Sequence, residues 1–232
     1  MVRHLKRKSE ATKGGAGSTS SSVAATVKDV IDTIRSRGDA AVREYSQKFD
    51  TSSPSSFKLS QSQIDAAIAA CSKQIIDDIK AVQINVRNFA QAQRESIRDF
   101  EVETQPGVFL GQKMFPSALL AREAYSTSTR GMVLILNCRY IPGGRYPLLA
   151  SAHMAILTAK VAGVQHVIGC TPPIAGRIPN GTVTTMALAG ADEIFILGGV
   201  QAIAAMAVGT ETIRKVDFTA GPGNAFVAEG KR

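Results

Sequence analysis

The chain has 232 residues, 44% of them hydrophobic and 20% charged, with a formal net charge of +8. That is enough apolar material for one large or two small globular cores. It leaves no stretch approaching the roughly 18 apolar residues of a membrane span, because even Gly131–Leu136 is interrupted by Asn137 and Arg139.

The first residues, Met1–Gly17, lack an apolar segment of the secretory kind, and the expected location is cytoplasmic with no membrane partner. Three cysteines, Cys71, Cys138 and Cys170, have no Cys-x-x-Cys spacing and cannot all pair. They are expected as buried thiols in a reducing compartment. Part of the positive charge lies in Arg3, Lys6, Arg7, Lys8 and Lys13, and the rest is scattered among acids without interleaved aromatics. No nucleic-acid partner is expected; a nucleic-acid binder would show steeply salt-dependent association.

Residues 1–23 are polar, rich in serine and glycine, and are expected to form a disordered tail. Residues 24–116 read as a helical arm. Val27, Val30, Ile31 and Ile34 follow helical spacing up to Gly38, and Asp39 is expected to cap a second helix carrying Val42, Tyr45 and Phe49. After a loop at Pro54, Ser60 and Gln63 form a capping-box pattern opening a third helix through Ile64, Ile68 and Cys71. Ile75, Ile76, Ile79, Val82, Val86 and Phe89 mark a long fourth, and Val102–Gln112, with Pro106-Gly107, is extended.

Residues 117–139 read as an irregular insertion with a provisional strand at Met132–Cys138. Beyond it, strand and helix patterns alternate: helix Pro147–Ala162, strand Val164–Cys170, helix Thr182–Ala189 and strand Ile194–Leu197. An Ala-rich helix and a strand near Val216–Thr219 complete the series. Right-handed crossovers make such strands parallel and gather the loops at their carboxyl ends on one rim, where open α/β sheets bind ligands. The fold class is therefore α/β, with the N-terminal helical arm joined to an incomplete Rossmann-like parallel-sheet domain over residues 140–232.

Tyr140–Gly144, Gly198–Gln201 and Gly221–Asn224 fall on that rim. Glycine corners let backbone N–H groups approach a phosphate. The usual dinucleotide fingerprint is nevertheless missing: no Gly-x-Gly-x-x-Gly opens a helix, and Val164–Cys170 runs into Thr171-Pro172-Pro173 with no acid for a ribose hydroxyl. Turn glycines and cofactor contacts remain equally open on this pattern.

Several segments resemble the histidinol dehydrogenase family. They are Arg37-Gly38-Asp39-Ala40-Ala41, Arg43-Glu44-Tyr45-Ser46, Lys48-Phe49-Asp50, Tyr140-Ile141-Pro142-Gly143-Gly144, Gly190-Ala191-Asp192-Glu193-Ile194, Gly198–Ala205 and Gly221–Val227, in the family's order and spacing. The resemblance implies NAD-dependent oxidation of an amino alcohol through an aldehyde to a carboxylic acid, as in L-histidinol to L-histidine in histidine biosynthesis. It further implies a zinc ion holding the substrate alcohol, and a homodimer. The family's NAD contacts carry over to Tyr140, Gln201 and Asn224. The competing readings are a loop aromatic packed on the sheet, a solvated helix start and a helix cap.

The family's zinc ligands and its adjacent Glu-His pair follow the Gly-Pro-Gly-Asn motif, and this sequence contains neither a Glu-His dipeptide nor Gln-x-x-His. No catalytic or metal residue is assigned; His4, His153 and His166 are read as structural. The expectation is a truncated member, inactive by itself, with the break at 117–139 and the early stop pointing to a retained intron or faulty gene model. Arg145–Met154 differs from the biosynthetic pattern and resembles a branch oxidising other small alcohols, such as sulfonated diols; Arg145 is read as an exposed loop residue or an anion contact. A noncatalytic nucleotide-binding or interaction module is the alternative. By the same resemblance, the layer covering Ile75, Ile79, Val82 and Phe89 comes from later sequence, and these side chains are expected to be exposed.

Overall fold

The computed structural model describes residues 16–112, 136–143 and 148–232. The provisional strand start, the bulk of the expected insertion, Gly144, Arg145 and His4 lie outside the described residues.

Helix α1 (Ala16–Arg37) begins inside the stretch expected to be a tail and runs to the expected stop at Gly38. Its stripe of Val27, Val30 and Ile34 is buried, and it packs chiefly on the Ala-rich helix α7 (Gly199–Val208), whose small side chains permit close approach. The expected role of Asp39 is corrected. It is the first residue of α2 (Asp39–Asp50) rather than its cap, and its own backbone N–H donates to Glu211 Oε2 at 2.7 Å. A carboxylate 172 residues away thus satisfies an orphan donor that no local side chain reaches.

The capping box forms as the sequence pattern requires. Ser60 accepts from the N–H of Gln63, and the Gln63 side chain accepts from the N–H of Ser60, opening α3 (Gln61–Ala69). Ser72 caps α4 (Lys73–Ser96) by a single bond, its side chain accepting from the Ile75 N–H at 3.3 Å. Strands β1 (Phe100–Gln105) and β2 (Val108–Gln112) form an antiparallel hairpin turning at Pro106-Gly107.

The second half builds the sheet. Strand β3 (Leu136–Tyr140) is followed by helix α5 over 149–161, which includes a π-helical segment, His153–Leu157. Then come β4 (His166–Thr171), α6 (Asn180–Ala189), β5 (Glu193–Ile196), α7, β6 (Phe218–Ala220) and α8 (Ala225–Glu229). The four strands lie in the order β5-β4-β3-β6, every pair parallel. Tyr140 stands opposite Cys170, and Arg139 opposite Ala220. The strand order turns outward from β3, so the loops after β3 and β6 diverge at a topological switch point.

Side chains alternate between two cores, as the strand period requires. Ile168, Cys170 and Phe195 enter one core with Val30, Ile34, Val42, Ile203 and Met206; Val167, Ile194 and Ile196 enter the other with Ile156, Leu157, Val183 and Met186. Helices α1, α2 and α7 cover the first face, and α3 to α6 the second. The N-terminal helices are therefore integral layers of the α/β sandwich. Phe57–Leu59 also pairs with the outer edge of β5, through Leu59 N–H to Ile194 O at 2.9 Å and Ile196 N–H to Phe57 O at 2.8 Å. That contact protects an edge that would otherwise expose unpaired backbone groups.

The expectation for α4 is corrected at one position. Ile79 is 3% exposed and Val86 packs into the second core, whereas Ile75, Val82 and Phe89 are exposed. α4 lies on α5 and α6 with one flank, where Gln83 Nε2 donates to Thr185 O at 3.1 Å, and leaves the other flank open.

Candidate functional site

At the carboxyl ends of β3, β5 and β6 the three rim segments converge on a cavity of about 610 Å³. That volume lies within the ordinary range for small-molecule and cofactor pockets. Tyr140, Gln201 and Asn224, separated by up to 84 residues in sequence (224 − 140), all line it.

Tyr140 is the last residue of β3, and its side chain is 4% exposed. Its phenolic oxygen accepts from the Gly199 N–H at 3.0 Å. Burial pushes the phenol up to about 12 against the opposing effect of that hydrogen bond, so it is neutral at physiological pH. Gly199 has φ +62°, and a Cβ there would stand 2.5 Å from Gln201 Oε1. Only glycine fits this corner. Gly221 serves close approach instead: a Cβ would fall 2.0 Å from the Tyr140 carbonyl oxygen, so a side chain would force β6 away from β3.

Gln201 does not match the reading as a solvated helix start. It is 0% exposed, on the first turn of α7, and its Nε2 donates to Asp50 Oδ2 at 3.2 Å. Its Oε1 is buried with no hydrogen-bond partner among the described residues. Asn224 does fill the role of a cap: its Oδ1 accepts from the Val227 N–H at 3.0 Å. The side chain is exposed at the cavity wall, so the cap does not remove it from a ligand's reach.

The residue that sequence reasoning left without a role is Asp50. It ends α2, and its Oδ2 accepts from the Gly198 N–H at 2.8 Å as well as from Gln201. Burial raises its pKa, partly offset by these two donors. The carboxylate caps the N-terminus of α7 from another helix, where negative charge is favoured by the aligned peptide dipoles. Both amides of the glycine corner, Gly198 and Gly199, are thus committed to protein oxygens rather than offered to a phosphate. Asp50 lay in the quoted Lys48-Phe49-Asp50 segment; nothing in its local pattern placed it beside a loop 148 residues away.

The other candidates do not join the site. His153 is buried in the π-helical segment with Nδ1 unpartnered among the described residues, and burial lowers its pKa. His166 Nε2 is 3.3 Å from Glu193 Oε1 at the start of the neighbouring strand. Cys138 and Cys170 are free and buried; Cys170 Sγ donates to Leu197 O at 3.2 Å, and the neighbouring Cys138 together with burial pushes its thiol well up. Among the described residues no three His, Cys, Asp or Glu side chains gather as a metal site, so these residues do not fit zinc. Their chemistry is that of a small-molecule pocket: apolar walls from Phe49, Pro172 and Phe226 with a few amide, phenol and carboxylate groups.

The histidinol dehydrogenase family model matches residues 15–122 and 128–232. The chain belongs to the histidinol dehydrogenase family. It is 55% identical over 207 residues to a "Histidinol dehydrogenase homolog" of Shouchella clausii, a match covering 89% of this chain and 45% of that protein. It is 39% identical to the histidinol dehydrogenase of Methanosarcina barkeri, over 93% of this chain and 46% of the relative. A sulfopropanediol 3-dehydrogenase of Ruegeria pomeroyi is 38% identical, over 100% and 48% respectively. The crystal structure of histidinol dehydrogenase from Elizabethkingia anophelis superposes with a TM-score of 0.76 at 30% identity, covering 96% of this chain and 46% of that one. The chain thus spans about half the length of the relatives it matches, and within that half it has the histidinol dehydrogenase fold.

Proposed function

We propose that this chain is the NAD-binding part of a histidinol dehydrogenase family oxidoreductase that oxidises a small alcohol, L-histidinol to L-histidine in the first instance. The observation that carries the reading is the convergence of Tyr140, Gln201 and Asn224 on one cavity at the switch point of a parallel sheet. When bound, NAD supplies the acceptor for the hydride leaving the alcohol carbon. Tyr140 presents a neutral phenol, Asn224 an exposed amide, and Gln201 holds the corner from which both are spaced. The resemblance implies that a zinc ion, where its ligands are present, would hold the substrate alcohol and that a Glu-His pair would transfer protons. The sequence contains neither Glu-His nor Gln-x-x-His, so these 232 residues by themselves are expected to bind dinucleotide without turning over alcohol.

A second substrate, a sulfonated or other small diol, is favoured by the Arg145–Met154 segment and is compatible with the sulfopropanediol 3-dehydrogenase relative. A noncatalytic nucleotide-binding or interaction module remains the alternative function. The family resemblance further implies a cytoplasmic homodimer.

The test is calorimetric titration of the chain with NAD. Saturable binding is expected, weakened about tenfold by Asn224→Ala through loss of a polar ligand contact together with the α8 cap. Absence of saturable NAD binding by the parent would refute the proposal.

A further inference from the structure

No acid follows β4, but a carboxylate from elsewhere in the chain lies beside its end. In doubly wound folds a carboxylate after the second strand receives a ribose hydroxyl, whereas this chain has Thr171-Pro172-Pro173 there. The structure brings Asp50 to the same place. A Cβ built on Gly198 would lie 2.4 Å from Pro172 Cβ and 2.7 Å from Asp50 Oδ1, so the proline and the carboxylate flank one point on the rim. Both line the cavity that also holds Tyr140 and Asn224.

The two carboxylate oxygens are differently employed. Oδ2 accepts from the Gly198 N–H at 2.8 Å and from Gln201 Nε2 at 3.2 Å, which fixes the group's orientation. Oδ1 accepts no hydrogen bond among the described residues. A tether between α2 and α7 alone would need only one neutral acceptor, because an asparagine or serine oxygen caps a helix about as well as a carboxylate. Keeping a part-buried charge with a spare oxygen in a cavity wall is instead what recognition of a hydroxyl donor requires. A phosphate placed against the same oxygen would meet like charge in a partly desolvated setting. The corner amides that might neutralise it are already bonded to Asp50 and Tyr140.

Resting on the NAD reading above, we propose that Asp50 accepts a hydrogen bond from the 2′-hydroxyl of the adenosine ribose through Oδ1 and excludes dinucleotides phosphorylated at that position. Asp50 is then the residue that sets cofactor specificity, delivered from an N-terminal helix instead of the βαβ unit.

The experiment is titration of the full chain and of Asp50→Asn with NAD and with NADP, folding of each being checked by circular dichroism. The parent is expected to bind NAD at least about tenfold more tightly than NADP, as the loss of a charge-assisted hydrogen bond and added repulsion imply. Asp50→Asn is expected to narrow the ratio to within about threefold, because an amide neither repels phosphate nor accepts as strongly. A purely structural tether would shift both affinities together, and an unchanged ratio in the folded variant overturns the assignment while leaving the NAD reading intact. Binding of neither dinucleotide by the parent overturns the NAD reading and this inference with it. Should the variant not fold, 2′-deoxy-NAD decides on the parent: a loss of about tenfold supports the role, and binding equal to NAD overturns it.

Discussion

Asp50 carries an energetic signature that can be read without any ligand. Its pKa is raised in the fold because burial disfavours the charged form more than the two donors favour it. A carboxylate whose folded pKa exceeds its unfolded value costs stability when ionised in both states, and that cost is relieved as pH falls through the raised value. Asp50→Asn keeps one acceptor for Gly198 and Gln201 but has no proton to exchange. The variant's thermal midpoint relative to the parent should therefore be more favourable at neutral pH than in acid. The opposite trend in paired melts would mean that the hydrogen bonds outweigh burial. Tyr140, held at about 12, stays neutral over that range and does not confuse the comparison. The three rim positions were legible as residues of a family motif, but their partners were not. Gln201 reads in sequence as the start of a helix, and only the approach of α2 buries it completely.

At the scale of the element, capping was legible wherever it is local. The Ser60–Gln63 box spans one turn, so its geometry follows from spacing alone. Ser60→Ala should cost about 1 kcal/mol in a denaturant titration, with the Ile194–Leu59 backbone pairing next to α3 loosened; no change would mean that packing alone holds α3. Capping by distant groups was not legible. Glu211 on the Asp39 N–H and Asp50 on the Gly198 N–H join segments 172 and 148 residues apart, and neither pair has a periodicity to reveal it. Strand positions emerged within a few residues of expectation because alternation between two apolar faces leaves continuous runs such as Val167–Cys170.

At the scale of the molecule, α4 leaves an apolar flank exposed among the described residues. Ile75, Val82 and Phe89 recur every seven residues, and Phe89 is 66% exposed. Beyond them the hairpin adds exposed Phe100, Val102, Phe109 and Leu110. Each aliphatic side chain left in water forgoes roughly 1.5–3 kcal/mol of burial, and contiguous apolar surface favours association. Sedimentation velocity of these 232 residues should show concentration-dependent self-association. Replacing Ile75, Val82 and Phe89 by glutamine should suppress it while leaving the melting temperature within a few degrees. A parent that sediments as a monomer at all concentrations would remove the basis for this expectation.

What the amino-acid order determined by itself was local: helix periods, the capping box, the run of strands and the family to which the rim motifs belong. These features depend on contacts within a turn or a strand, whose chemistry is written in adjacent residues. Tertiary structure alone decided that the N-terminal helices join the later helices in both covering layers of the sheet. It also buried Ile79 while leaving Val82 open, and set a carboxylate from α2 against the glycine corner after β5. Those outcomes depend on which surfaces meet when the chain closes on itself, a long-range choice that no local pattern encodes.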